Sequence, residues 1–215
     1  MPKRKQREVL VVDDFCAAAG TNRRRNHNST FSKHPNTLDT DKFECCFSLW
    51  FTLYMRESSR EKVLKWIKKE CIFSKKYVVI PIVCWSHWSL LILCHFGETK
   101  SKARTPCMIL LDSLHMANPK RLEPAIRKFV VDIYQAEAKE RPEKKWAISQ
   151  IPLLVPKVPQ QRNGEDCGRF VLYFTSLFVE NAPTNFSTDD GYPYFMKEDW
   201  FRPQDLDNFC GRLRL

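Results

Sequence analysis

The sequence predicts an α+β domain: a central, mostly antiparallel sheet flanked by helices, with a cysteine at the N-terminus of a buried helix. Three observations lead there. Three short β-rich apolar runs, 76–84, 88–96 and 107–114, stand close together and read as central strands covered on both faces. Helical patterns precede and follow these runs instead of alternating with them, which separates α+β from a parallel α/β order. The 215 residues suit one domain plus a tail, and 43% hydrophobic with 13% aromatic residues suffices to bury a core.

The elements follow in order. Residues 1–40 read as a basic, partly disordered N-terminal segment, with eight Lys/Arg against four Asp/Glu. Within it "EVLVVDDF" suits a short strand or docking segment, whereas "GTNRRRNHNSTFSKHPNTLDT" has no hydrophobic period. Residues 41–215 are expected to form the folded domain. "DKFECCFSLWFTLYMRE" is apolar nearly all round and reads as one buried helix. "SSREKVLKWIKKE" predicts a serine-started helix with Val63, Leu64 and Ile67 on its inner face. After the first two strands, "GETKSKART" is a charged loop before the third. "NPKRLEPAIRKFVVDIYQAEAKE" predicts an amphipathic helix that buries Ile126, Phe129, Val130 and Ile133. The prolines of "AISQIPLLVPKVPQQ" forbid a long helix, so that stretch is expected to be extended. "CGRFVLYFTSLFVE" predicts a buried helix, and the final segment a short helix packed on the body.

The net charge of +10 predicts long-range attraction to acidic partners. No nucleic-acid-binding motif or aromatic–basic interleaving accompanies it, so nucleic acid is not the expected partner. Nine cysteines, an odd count and mostly inside apolar runs, fit reduced thiols in the nucleus or cytoplasm. "MPKRKQREVL" lacks the apolar core of a signal peptide, and no run reaches the ~18–20 apolar residues that span a bilayer. A monomer without membrane contact is expected, and the short basic runs "KRK" and "RRR" suit a nuclear address.

Four polar residues stand at the edges of these elements. His87 in "CWSHWSL" precedes the second strand, and Asp112 in "LLDSL" ends the third. If the two strands are neighbours, Asp112 accepts a hydrogen bond from the imidazole and orients it. Cys167 opens the last buried helix, where the helix dipole and free N–H groups favour a thiolate. Gln161 precedes it in "QQRNGEDCG" and offers an amide to a developing oxyanion. Gly164 and Gly168 on either side leave room for a substrate backbone. Each residue has an ordinary structural explanation when taken singly. The order His, Asp, Gln, Cys, each at the edge its role demands, points to nucleophilic catalysis without metal or cofactor.

"HWSLLIL", "ILLDSL" and "VPQQRNGEDCGRFVLYF" resemble the three signature blocks of the ubiquitin-like-protein-specific cysteine proteases, the Ulp/sentrin-specific SUMO protease type, plant members included. The resemblance spans residues 41–210 and implies the cysteine-protease-like fold of the Ulp/adenain type. It also implies cleavage of the (iso)peptide bond after the terminal Gly-Gly of a ubiquitin-like modifier, SUMO or NEDD8-like. On that resemblance His87 is the general base, Asp112 its orienting partner, Cys167 the nucleophile and Gln161 an oxyanion donor. Trp88 matches the tryptophan that helps cover the di-glycine tail. "LVVDDF" stands nearest to the family's Trp-Leu-Asn-Asp grip, with Phe15 in place of the missing tryptophan. The 97–106 segment lengthens the usual spacing from His87 to Asp112, and Glu165 stands where Tyr or Val is commoner.

Competing readings are a modifier-binding module of the same fold without catalysis, and an acyltransferase, for which no phosphate loop is present. A zinc site on Cys84, His87, Cys94 and His95 is disfavoured, because neighbouring strand residues point to opposite faces.

Overall fold

The structure, a computed structural model, describes residues 43–45, 50–96, 105–114, 116, 118–137, 148–182, 188 and 195–213. Phe15, the rest of residues 1–40 and the charged loop at 97–104 lie outside the described residues. In chain order the elements are β1 (Phe43–Cys45), α1 (Trp50–Met55), α2 (Glu57–Glu70), β2 (Tyr77–Cys84), β3 (His87–Cys94), β4 (Cys107–Leu111), α3 (Glu123–Glu137), β5 (Leu153–Leu154), α4 (Cys167–Asn181) and α5 (Pro203–Leu213). The strands form one sheet in the order β1-β2-β3-β4-β5. Its two longest pairings, β2–β3 and β3–β4, are antiparallel, while the short outer strands β1 and β5 pair in parallel. This is the expected α+β architecture.

Local differences from the sequence reading have physical causes. The apolar stretch 41–57 is not one helix, since β1 lies along β2 before α1 begins at Trp50. An all-round apolar run carries no period with which to choose between strand and helix. Helix α2 starts at Glu57 behind Arg56 without a side-chain cap, so Ser58 and Ser59 sit inside its first turn. Its buried residues are Val63 and Ile67, with Leu64 only partly covered. His87 is the first residue of β3 rather than a residue before it, and β4 ends at Leu111, just ahead of Asp112.

A two-residue turn, Trp85-Ser86, closes the β2–β3 hairpin and pairs Cys84 with His87. Both turn residues are left-handed, with φ of 54° and 60°. Such turns match the twist of the strands but normally use Asn or Gly. A left-handed residue that carries a Cβ costs roughly 1–2 kcal/mol. The outer edge of β2 is closed from another direction. The Thr52 hydroxyl on α1 donates to the Val83 carbonyl at 2.9 Å and accepts from the Val83 N–H at 3.2 Å. Pro81 stands two residues earlier on the same edge, beyond the end of the β1 pairing at Val79, where its missing N–H removes no ladder bond.

The strand period sorts the core into two faces. Val78, Ile80, Ile82, Leu91, Leu93, Met108 and Leu110 join the cluster formed with α1, α2 and α3. The other face meets α4, seen in the edge-on contact of Tyr77 with Phe178 at 5.2 Å. Phe129 on α3 is fully buried, with ring centroids 5.3 Å from Phe51 and 4.8 Å from Tyr54 on α1. Tyr54 in turn donates its hydroxyl to Asp132 at 2.6 Å, which ties α1 to α3. Phe129→Ala opens a cavity at this junction and is expected to lower stability by about 3–5 kcal/mol, measured as a shift of the urea midpoint with an unchanged slope.

Candidate active site

The hairpin and the β3–β4 register bring the start of β3 and the end of β4 to one rim of the sheet. The His87 Nε2–H donates to Asp112 Oδ1 at 2.8 Å. Asp112 is 2% exposed, and the same oxygen also accepts the Leu114 N–H at 2.7 Å. A buried carboxylate held by two donors keeps the ring in one orientation and one tautomer. Because Nε2 carries the proton toward Asp112, Nδ1 is the nitrogen left to exchange a proton with another group.

The segment before α4 is tied to the same rim. The Gln161 N–H donates to the Ser113 carbonyl at 2.9 Å, and the Ser113 hydroxyl donates to Gln161 Oε1 at 2.6 Å. Gln161 Nε2 gives one proton to the Asn163 carbonyl at 2.6 Å, which leaves its second amide proton for a ligand. Gln160 Nε2 donates to the Asp112 carbonyl at 3.2 Å and to the Val158 carbonyl at 2.8 Å. Asn163 Oδ1 then accepts the N–H groups of Glu165 and Asp166, each at 3.0 Å, and folds the chain into the helix start.

Cys167 is the first residue of α4, 4% exposed, behind Asp166 at the cap position. The first helical bond runs from the Phe170 N–H to the Asp166 carbonyl, so the N–H groups at the very start of the helix are not used by its own ladder. Trp88 reaches this turn: a Cβ placed on Gly168 would lie 3.9 Å from Trp88 Cδ1. That is ordinary contact, and around Gly164 nothing lies within 4 Å. The folded chain thus does not itself demand glycine at either position.

His87, Trp88, Asp112, Gln161 and Cys167 therefore stand on elements that meet at one rim. Sequence reasoning passed over Ser113, Gln160, Asn163 and Arg169. Arg169 donates to Asp166 Oδ1 at 3.0 Å, to Asp207 Oδ1 on α5 at 3.0 Å and to Cys210 Sγ at 3.2 Å, clamping the first turn of α4. The Asn-Gly pair at 163–164 is a recognisable turn signal. Ser113, Gln160 and Arg169 gave none, since the partners that tie them to other elements, Gln161, Asp112, and Asp207 with Cys210, lie far away in sequence. Among the described residues no group of three or more His, Cys, Asp or Glu side chains is arranged to hold a metal ion.

The sequence pattern of the Ulp1 protease family, C-terminal catalytic domain, matches residues 40–209. The chain belongs to this family. Among Ulp1-family relatives, it is 31% identical over 148 residues to the probable ubiquitin-like-specific protease 2A of Arabidopsis thaliana, covering 66% of this chain and 19% of that protein. It is 33% identical over 159 residues to ubiquitin-like-specific protease 1D of the same plant, covering 70% of this chain and 26% of that protein. The chain thus matches only a minor part of the length of these relatives. A crystal structure described as that of the de-sumoylating protease superposes with a TM-score of 0.53 at 26% identity, over 66% of this chain and 54% of that one. A structure of the SUMO protease Ulp1 with an oxidised catalytic cysteine shares the fold, with a TM-score of 0.50 at 23% identity.

The Ser113–Gln161 side-chain bond is a buried link between the rim and the segment before α4. Ser113→Ala leaves Gln161 Oε1 without its hydroxyl donor, and about 1–3 kcal/mol of stability is expected to be lost in chemical denaturation.

Proposed function

We propose that this chain is a cysteine protease that cleaves the (iso)peptide bond after the C-terminal Gly-Gly of a ubiquitin-like modifier, SUMO or NEDD8-like. The observation that carries the reading is the buried Asp112 holding the His87 ring at the rim where Cys167 opens its helix. Family membership supports the reaction type. The description of a structural relative as a de-sumoylating protease makes SUMO the first modifier to test.

In this mechanism Cys167 gives its proton to His87 Nδ1, and the sulfur attacks the carbonyl of the modifier's terminal glycine. The oxyanion takes N–H donors from the free amide proton of Gln161 and from the start of α4. The tetrahedral adduct collapses as His87 returns the proton to the departing amine, which leaves a thioester on Cys167. Water, deprotonated by His87, then attacks the thioester, and the modifier leaves as a carboxylate while the thiol is restored. Asp112 keeps the imidazole oriented and stabilises its charged form throughout. In this reading the modifier's tail passes Trp88 and Gly168, where side chains larger than glycine meet the indole. The basic surface speeds encounter with an acidic modifier. Residues 41–215 act as the catalytic domain and 1–40 as a basic N-terminal segment, in a monomer that works in the nucleus or cytoplasm without cofactor or nucleic acid.

A suicide probe carrying an electrophile at the C-terminus of SUMO is expected to label Cys167 alone, and NEDD8 and ubiquitin versions rank the modifiers. Cys167→Ala and His87→Ala are each expected to abolish turnover of a modifier–fluorophore substrate with the circular dichroism spectrum kept. Gln161→Ala is expected to lower kcat by ~10²-fold or more. Full turnover by Cys167→Ala would refute the mechanism.

A further inference from the structure

The hairpin turn beside His87 carries an unexpected side chain. Trp85 is 65% exposed, among the most exposed large apolar residues described. It occupies a left-handed turn position that Asn or Gly fills more easily, with φ of 54°. Folding alone gains little from it there, because most of the indole stays in water.

Trp85 is not isolated. The Arg121 guanidinium lies 4.0 Å from the centre of its ring. Arg121 is itself exposed, and no carboxylate among the described residues pairs with it. The contact places the guanidinium over the indole, and with no carboxylate among the described residues paired to it, its N–H groups are available to an acceptor. The pair sits at the hairpin tip next to the proposed general base. Cys84 is the cross-strand partner of His87. Burial pushes the Cys84 thiol up, and the nearby Arg121 charge pulls against that rise.

The direction of approach follows from the proposed mechanism, on which this inference rests. The modifier's tail runs along Trp88 and the start of α4. The departing amine must reach His87 to receive its proton, so the polypeptide that carries the amine emerges at the hairpin. We propose that Trp85 and Arg121 form a docking platform for an acidic segment of the target protein beside its modified lysine. The indole covers apolar side-chain stems, and the guanidinium takes a carboxylate.

The test compares two substrates, each with SUMO joined through its terminal glycine to the lysine of a short peptide. One peptide has glutamates flanking the lysine and the other has glutamines. The full chain is expected to cleave the glutamate substrate about 5- to 10-fold more efficiently in kcat/KM at low salt, the range of one well-placed charge pair. Arg121→Gln and Trp85→Gly are expected to bring that ratio close to one while turnover of SUMO–fluorophore is kept. Glycine suits the left-handed turn, and Arg121 is exposed, so both variants are expected to fold, checked by circular dichroism. A second measurement is independent of cleavage. Fluorescein-labelled glutamate and glutamine peptides, free of SUMO, are titrated against the Cys167→Ala protein by anisotropy. Tighter binding of the glutamate peptide that is lost on Arg121→Gln supports the platform. Equal binding of the two peptides, or a cleavage ratio unchanged by both variants, overturns it. Failure of the probe to label Cys167 would instead sink the protease reading, and the anisotropy comparison would still decide the platform.

Discussion

The register of the three central strands is the constraint on which the site depends. A two-residue turn sets Cys84 opposite His87, and the β3–β4 pairing sets Leu91 opposite Leu110. In this register the first residue of β3 comes within hydrogen-bond distance of the residue that follows β4. A one-residue slip of β2 or β3 would exchange the two faces of that strand, turning Ile80 or Leu91 away from the helical core. The large buried residues of α1–α3 therefore do more than stabilise the fold. By making every other register unfavourable, they hold His87 against Asp112.

The same logic extends to the cysteine. Helix α4 packs on the opposite face of the sheet, and its first turn is held from two sides. Arg169 ties it to α5, while the Ser113–Gln161–Asn163 chain of hydrogen bonds ties the preceding segment to the end of β4. The proposed proton transfer requires groups held to within fractions of an ångström. Here the precision comes from bonds that join one side of the rim to the next, not from any single strong contact. The hairpin illustrates the cost of such a design. It fixes the position of His87 and at the same time forces Trp85 into a left-handed conformation.

Much of this was legible in the residues. Short apolar runs, β-branched in β2 and leucine-rich in β3 and β4, announced the three central strands, and helix α3 was announced by Ile126, Phe129, Val130 and Ile133, all of which are buried. The segment before α1 was misread because an apolar stretch without period cannot report its own geometry. The long-range partners Ser113, Gln160 and Arg169 were missed for a related reason. A polar residue in a loop looks the same whether it faces water or a buried acceptor.

By itself, the sequence determined the chemistry on offer: a cysteine at a helix start, a histidine and an aspartate at strand ends, and an amide-rich turn ahead of the thiol. These follow from residue type and local pattern, which act over a few positions. Tertiary structure alone decided that Nε2 rather than Nδ1 of His87 meets Asp112, that Ser113 orients Gln161, and that Arg121 lies over Trp85. Each of those outcomes depends on groups distant in sequence being brought together, and only strand register and core packing determine which distant groups meet.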